Sequence, residues 1–252
     1  MRKIAEEGGG RRFETCPVLD NRPLGAGIFE LETGWKGPVP RPGQFFMLRA
    51  SRSRVLLGRP ISVYASGEAS LSFVIAERGE GTRELGALRP GDHCNLEGPL
   101  GSAWPAAPEG QVALVGGGIG LAPLLFLARG LRLNSYDLYA GYRSGSWGLA
   151  GLAPRALRVF TEDGSLGSRG RVLDGFAASG YSALFACGPE PMLRAVAGLA
   201  SQAGVPAWLS LETRMACGVG ACLGCTVRTK AGQRRACVEG PIFPAAEVIF
   251  DE

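Results

Sequence analysis

Gln111-Val-Ala-Leu-Val-Gly-Gly-Gly-Ile-Gly-Leu-Ala-Pro-Leu-Leu-Phe-Leu-Ala-Arg-Gly130 decides the architecture. The opening Gln111-Val-Ala-Leu-Val reads as a buried strand and the stretch from Pro123 as a helix, with glycines joining them. Gly116, Gly117, Gly118 and Gly120 let the backbone come close to a pyrophosphate, whose charge the helix N-terminus would face. Residue 123 is Pro, so the pattern is not a strict G-x-G-x-x-G, although Pro is well tolerated in the first turn of a helix. A tight strand-to-helix turn without a ligand is the alternative reading.

Working towards the C-terminus, strands and helices keep alternating. Tyr136–Tyr142, Leu157–Thr161 and Ser182–Ala186 read as strands, and Pro191–Ala203 reads as a helix. Alternation of this kind predicts an α/β domain with a mainly parallel sheet over residues 110–205. The loop Cys187-Gly188-Pro189 follows a strand, at the end where open α/β sheets bind ligands. By itself Cys187 reads as a small buried residue. Asp137, 17 residues beyond Gly120, is a candidate reader of a cofactor ribose.

Working towards the N-terminus, Gly101 to Gly110 has the composition of a linker, and before it the pattern changes. Gly27–Glu32, Gln44–Arg49, Arg59–Tyr64 and Leu71–Ala76 read as short strands. Pro-Gly pairs at 42–43 and 90–91 and glycines at 67, 79 and 81 mark turns between them. Residues 13–104 therefore predict a small antiparallel β-barrel. Residues 1 to 12 read as a polar, mobile arm. Arg59-Pro60-Ile61-Ser62 combines an Arg able to clamp a phosphate with a Ser beyond a rigid Pro; alone, it reads as an edge strand with an exposed Arg. Arg78-Gly-Glu-Gly81-Thr82 could offer amides to a phosphate, or be only a turn. The stretch Arg49-Ala-Ser-Arg-Ser-Arg reads as a solvated loop, with a docking surface as the alternative.

Residues 206–252 form a third unit, built on Cys217, Cys222, Cys225 and Cys237 in the spacing C-x4-C-x2-C-x11-C. The first three follow the plant-type pattern for a [2Fe–2S] cluster, and Gly218, Gly220 and Gly224 let amides aim at sulfur. Structural zinc and a pair of disulfides are the alternatives. Zinc usually takes two short knuckles separated by a longer spacer, and the chain shows no apolar export signal at its start.

Composition narrows the function classes. The 252 residues carry a net charge of +4 with both signs interspersed, which does not mark a nucleic-acid binder. No apolar run approaches the roughly 20 residues that span a bilayer, so a cytoplasmic location is expected. The single histidine, His93, leaves little for acid–base catalysis by imidazole, whereas electron and hydride transfer through bound cofactors needs none.

Taken together, these segments resemble the ferredoxin–NAD(P)+ reductase superfamily. Leu211-Glu-Thr-Arg-Met-Ala-Cys-Gly-Val-Gly-Ala-Cys-Leu-Gly-Cys225 and Cys237-Val-Glu-Gly-Pro-Ile-Phe243 are very similar to the electron-transfer subunits of class 1B dihydroorotate dehydrogenases. The resemblance implies FAD held by Arg59, Pro60, Ile61 and Ser62, with the Ser62 hydroxyl near the reactive flavin nitrogen. It implies Val74, Ile75 and Ala76 lining that flavin, and Gly81 and Thr82 at its phosphate. It further implies NAD on Gly116, Gly117, Gly118, Gly120, Cys187, Gly188 and Pro189, and a [2Fe–2S] cluster on the four cysteines. Glu212 and Arg214 match family positions without a role. The implied partner is an FMN-containing catalytic subunit that oxidises dihydroorotate to orotate in pyrimidine biosynthesis, in a heterotetramer of two plus two. No catalytic acid or base is expected in this chain. The alternatives are a reductase subunit of another complex (ferredoxin:NADP oxidoreductase, hydrogenase or sulfide dehydrogenase type) and an iron–sulfur redox sensor.

Overall fold

A computed structural model describes residues 10–25 and 27–250; most of the expected N-terminal arm lies outside the described residues. Seven antiparallel strands form the first sheet: β1 (Arg12–Gly25), β2 (Ile28–Gly34), β3 (Phe45–Ala50), β4 (Arg59–Ser62), β5 (Ala65–Ser66), β6 (Ser70–Ala76) and β7 (His93–Leu100). Their order is β4-β3-β7-β1-β2-β6-β5, and β4 comes back towards β6, so the sheet curls into a half-barrel. A short helix, α1 (Glu80–Gly86), follows β6. Alternating residues send Leu31, Phe46, Leu48, Phe73, Ile75 and Leu96 inwards, and each is fully buried. Burying side chains of this size contributes roughly 1.5–3 kcal/mol apiece.

Strand β1 holds the half-barrel together by changing partners. Arg12 to Pro17 pair with β7, and from Val18 onwards the strand pairs with β2. Irregular register between Val18 and Asp20 and between Pro23 and Gly25 bends it. Pro17, which lacks an N–H, falls at the changeover between the two ladders. His93 opens β7 and is exposed.

The second sheet is parallel except at one edge. Its strands are β8 (Val112–Gly117), β9 (Tyr136–Tyr142), β10 (Ala156–Thr161), β11 (Ser168–Arg169), β12 (Ala183–Cys187) and β13 (Ala207–Ser210). The order runs β11-β10-β9-β8-β12-β13. Helix α2 (Leu121–Gly130) follows β8 and α3 (Glu190–Ala203) follows β12. Both faces of the sheet are covered. Leu114, Leu138 and Phe185 join the α2 side chains in one core, and Val115, Leu184 and Ala186 join those of α3 in the other.

A hairpin, β14 (Thr226–Thr229) with β15 (Gly232–Arg235), belongs to the cysteine segment, and β16 (Ile242–Pro244) lies antiparallel against β13. Two strands of the stretch read as the third unit, β13 and β16, thus sit in the second sheet. That insertion fixes the cysteine segment on the body of the molecule. The Ser102 amide, between the two sheets, donates to the Gly240 carbonyl, and Phe45, Met47 and Leu100 pack on Cys225, Cys237 and Phe243. The fold is an antiparallel half-barrel, a parallel-sheet α/β layer and a small C-terminal cysteine unit.

Candidate functional site

The strand order of the second sheet reverses between β8 and β12, and the crevice at the carboxyl ends of those strands is where open α/β sheets take ligands. Gly116, Gly117, Gly118 and Gly120 occupy one side of it, and Cys187, Gly188 and Pro189 the other. The two groups touch. A Cβ on Gly120 would stand 2.5 Å from the Cys187 carbonyl oxygen, and one on Gly117 would stand 3.0 Å from Pro189 Cδ. Gly118 has φ +55°, open to glycine and strained for other residues. Burial, reinforced by the nearby Glu212 carboxylate, pushes the Cys187 thiol up to about 12, so it stays neutral.

The half-barrel presents its own group beside this crevice, because β6 approaches the turn Gly118–Gly120. Arg59, Pro60, Ile61 and Ser62 form edge strand β4, all partly exposed, and Phe45 of β3 pairs with Ser62. Arg59 donates to the Leu57 carbonyl at 3.1 Å, and its guanidinium lies against Gly81, where a Cβ would stand 2.5 Å from Nε. Arg59 and Gly81 at the start of α1, far apart in sequence, therefore share one place. Thr82 is committed to the start of that helix: its Oγ1 accepts from the amides of Arg78 (2.8 Å) and Gly79 (3.1 Å) and donates to the Gly79 carbonyl. Of Val74, Ile75 and Ala76, only Ala76 reaches the surface. Val74 joins the core shared with the second sheet, and Ile75 faces into the half-barrel.

The four cysteines come together from a loop and the two ends of the β14–β15 hairpin. Amides point at their sulfurs: Gly220 N to Cys237 Sγ at 3.2 Å, and Val219 N and Cys222 N to Cys217 Sγ at 3.4 Å each. The Val219 amide first, then that of Cys222, brings the Cys217 thiol down to about 6 against the opposing effect of burial. Burial, followed by the neighbouring Cys225, pushes Cys237 up to about 12. Cys217 interacts with Cys222 and Cys225 with Cys237. Among the described residues no three His, Cys, Asp or Glu side chains converge on one metal-ion position. Thiols gathered two by two fit a binuclear cluster, in which four thiolates serve two irons. Gly218 lets the loop press on β3, since a Cβ there would stand 2.8 Å from Met47 Cγ.

Asp137 does not reach the crevice. It is the second residue of β9, near the amino end of the sheet, whereas Gly141 near the other end pairs with Gly117. Its carboxylate is 1% exposed, bound by Arg155 (2.9 and 2.6 Å) and Tyr181 (2.7 Å). Burial works against its charge, but these hydrogen bonds prevail and hold its pKa below the usual value. The expectation of a ribose reader at Asp137 is therefore corrected to a structural ion pair. What sequence reasoning missed is Thr213, on the segment between β13 and Cys217, whose buried hydroxyl has no partner. No motif marks it. Glu212 and Arg214 on either side are exposed.

A family model described as the iron-sulfur cluster binding domain of dihydroorotate dehydrogenase B matches residues 212–249. The dihydroorotate dehydrogenase B (NAD(+)) electron transfer subunit of Clostridium acetobutylicum is 41% identical over 244 residues, spanning 96% of this chain and 99% of that protein. The protein of the same name from Caldanaerobacter subterraneus subsp. tengcongensis is 35% identical, over 92% and 97%. Among solved structures, a chain of the NADH-dependent reduced ferredoxin-NADP oxidoreductase, described for flavin-based electron bifurcation, superposes with a TM-score of 0.80. It is 27% identical and covers 93% of this chain and 89% of its own.

Proposed function

The chain belongs to the family of dihydroorotate dehydrogenase B (NAD(+)) electron transfer subunits, and from that premise we propose that it carries electrons from a dihydroorotate-oxidising partner to NAD+. The partner we propose bears FMN and assembles with this chain two plus two. When bound, the [2Fe–2S] cluster supplies one-electron exchange, and FAD joins that exchange to hydride transfer with nicotinamide. The observation that carries this reading is the junction of the three sites. The cysteine loop rests on β3, β3 pairs with the Arg59–Ser62 strand, and β6 of the same half-barrel meets the glycine turn of the second sheet.

Each residue's part follows from its place. Cys217, Cys222, Cys225 and Cys237 would hold the cluster, and the amides on their sulfurs would stabilise its negative charge. Arg59 and the Gly81 backbone, lying against one another, would grip the FAD pyrophosphate, with Pro60 and Ile61 setting the strand and Ser62 reaching the flavin ring. Thr82 would shape the start of α1. Ala76 would meet the flavin, with Val74 and Ile75 serving as its anchor in the two cores. Gly116, Gly117, Gly118, Gly120, Cys187, Gly188 and Pro189 would form the NAD crevice, where neutral Cys187 adds no charge. We divide the chain into functional units at 13–104, 110–205 and 206–252, the last lending β13 and β16 to the second sheet. Oxidation of dihydroorotate itself would take place on the partner.

Anaerobic co-purification from the native source, with cofactor analysis, tests the reading. We expect FAD and two irons per chain together with a dihydroorotate-oxidising flavoprotein. Recovery of a hydrogenase-type or glutamate-synthase-type subunit in its place would overturn the assignment of partner.

A further inference from the structure

Arg235 organises the turn that carries the fourth cysteine. It ends β15, paired with Thr226 of β14, and its carbonyl accepts the amides of Val238 (3.1 Å) and Glu239 (2.9 Å). Cys237 lies in the middle of the turn so formed. Glu239 answers from the far end. Its carboxylate accepts Arg235 Nε (3.1 Å) and Nη2 (2.6 Å), a two-pronged charged contact, and the Arg235 amide as well (2.7 Å). The other arm of the guanidinium, Nη1, donates at 3.2 Å to the carbonyl of Gly220, in the loop between Cys217 and Cys222.

Gly220 is the residue whose amide points at Cys237 Sγ. It has φ +80°, and a Cβ there would stand 2.7 Å from Val238 Cγ2 and 3.0 Å from Arg235 Nη1. Arg235 thus presses on the backbone that carries a sulfur-directed amide. Its charge is stabilised first by Glu239 and then, against burial, by Cys237 and Cys225, the two buried members of the four. For stability alone the ion pair counts for little, since its side chains are 37% and 28% exposed and water screens them. Its position beside Cys225 and Cys237 gives it another use. A cluster held by four thiolates is anionic, and reduction adds an electron to it. A cation alongside favours the reduced form, and an anion the oxidised form.

We propose that Arg235 and Glu239 form a charge pair that sets the reduction potential of the cluster, Arg235 raising it and Glu239 restraining that rise. The inference rests on the reading above, in which Cys217, Cys222, Cys225 and Cys237 hold [2Fe–2S]. Neither residue is a ligand. Arg235 acts on Cys225 and Cys237 by its field, and on Cys237 also through Gly220, whose amide it helps to aim. Glu239 fixes the place of the guanidinium and offsets part of its charge.

A redox titration of the intact chain, loaded with FAD and iron–sulfur and followed by electron paramagnetic resonance of the reduced cluster, tests this. Arg235→Gln should lower the midpoint potential and Glu239→Gln should raise it. Each should shift the reduction equilibrium about ten-fold, or about 59 mV for one electron. Arg235→Lys keeps the charge and should stay closer to the wild type than Arg235→Gln. A merely structural pin predicts one sign, because breaking the same ion pair from either side disturbs the same turn. Shifts of one sign in both glutamine variants, or the wild-type potential in both, would overturn the proposal. If Arg235→Gln fails to hold iron, Glu239→Gln decides alone: a raised potential supports the pair, and an unchanged or lowered one overturns it. A wild-type spectrum and iron content in Cys237→Ser would instead overturn the ligand set, and the proposal with it.

Discussion

Arg59 and Gly81 show how one missing methyl group can matter. The guanidinium occupies the space a Cβ on Gly81 would need, so Gly81→Ala should displace it, and Arg59→Ala should remove it. We expect Arg59→Ala to weaken FAD binding roughly ten- to a hundred-fold, the range for a lost charged hydrogen bond to phosphate, with iron content unchanged. Flavin retention after gel filtration measures this, and full retention would count against the pyrophosphate role. Asp137 calls for a different experiment. Asp137→Asn should destabilise the fold by about 1–3 kcal/mol without raising KM for NADH. Because its folded pKa lies below the ordinary 3.8, the contribution is complete above that value and is lost as pH falls through the folded one. The gap in Tm between wild type and variant should thus be full near neutrality and close in acid. A large rise in KM for NADH with an unchanged Tm would restore Asp137 to the cofactor site.

Among the elements, legibility followed how local the signal was. Strand β8, the glycine turn and α2 were legible because their residues are contiguous and their periodicity is strong, although α2 begins at Leu121, before Pro123. Strand β1 was obscured by two prolines and its charged residues, since a strand that changes partners midway need not show unbroken alternation. Helix α1 was read as a turn because its Gly-Glu-Gly start carries no helical pattern, and Thr82 holds it through contacts only the fold reveals. The candidate cluster ligands were readable from spacing alone. Asp137 misled because distance along the sequence does not say at which end of a strand a residue falls. The glycine turn and Cys187-Gly188-Pro189 were brought together only by the resemblance, since a contact between segments far apart in sequence leaves no local signal. That contact can be tested directly. Gly120→Ala would drive a methyl group into the Cys187 carbonyl. We expect a loss of about 1–3 kcal/mol in denaturant unfolding, together with a raised KM for NADH.

At the scale of the whole molecule, the arrangement is a series of three sites on one continuous scaffold. In the proposed function the parallel sheet offers the nicotinamide crevice, the half-barrel the flavin strand, and the cysteine loop an exposed side beyond both. Strands β13 and β16 tie that loop to the sheet. In the proposed function substrate oxidation is left to the partner. The central claim is that electrons reach NAD+ from the partner only by way of the four-cysteine site, and Cys222→Ser tests it most directly. In the complex of that variant with its dihydroorotate-oxidising subunit, NADH should still reduce FAD within this chain, while dihydroorotate-dependent formation of NADH should be lost. Dihydroorotate-dependent NADH formation at the wild-type rate would contradict the account.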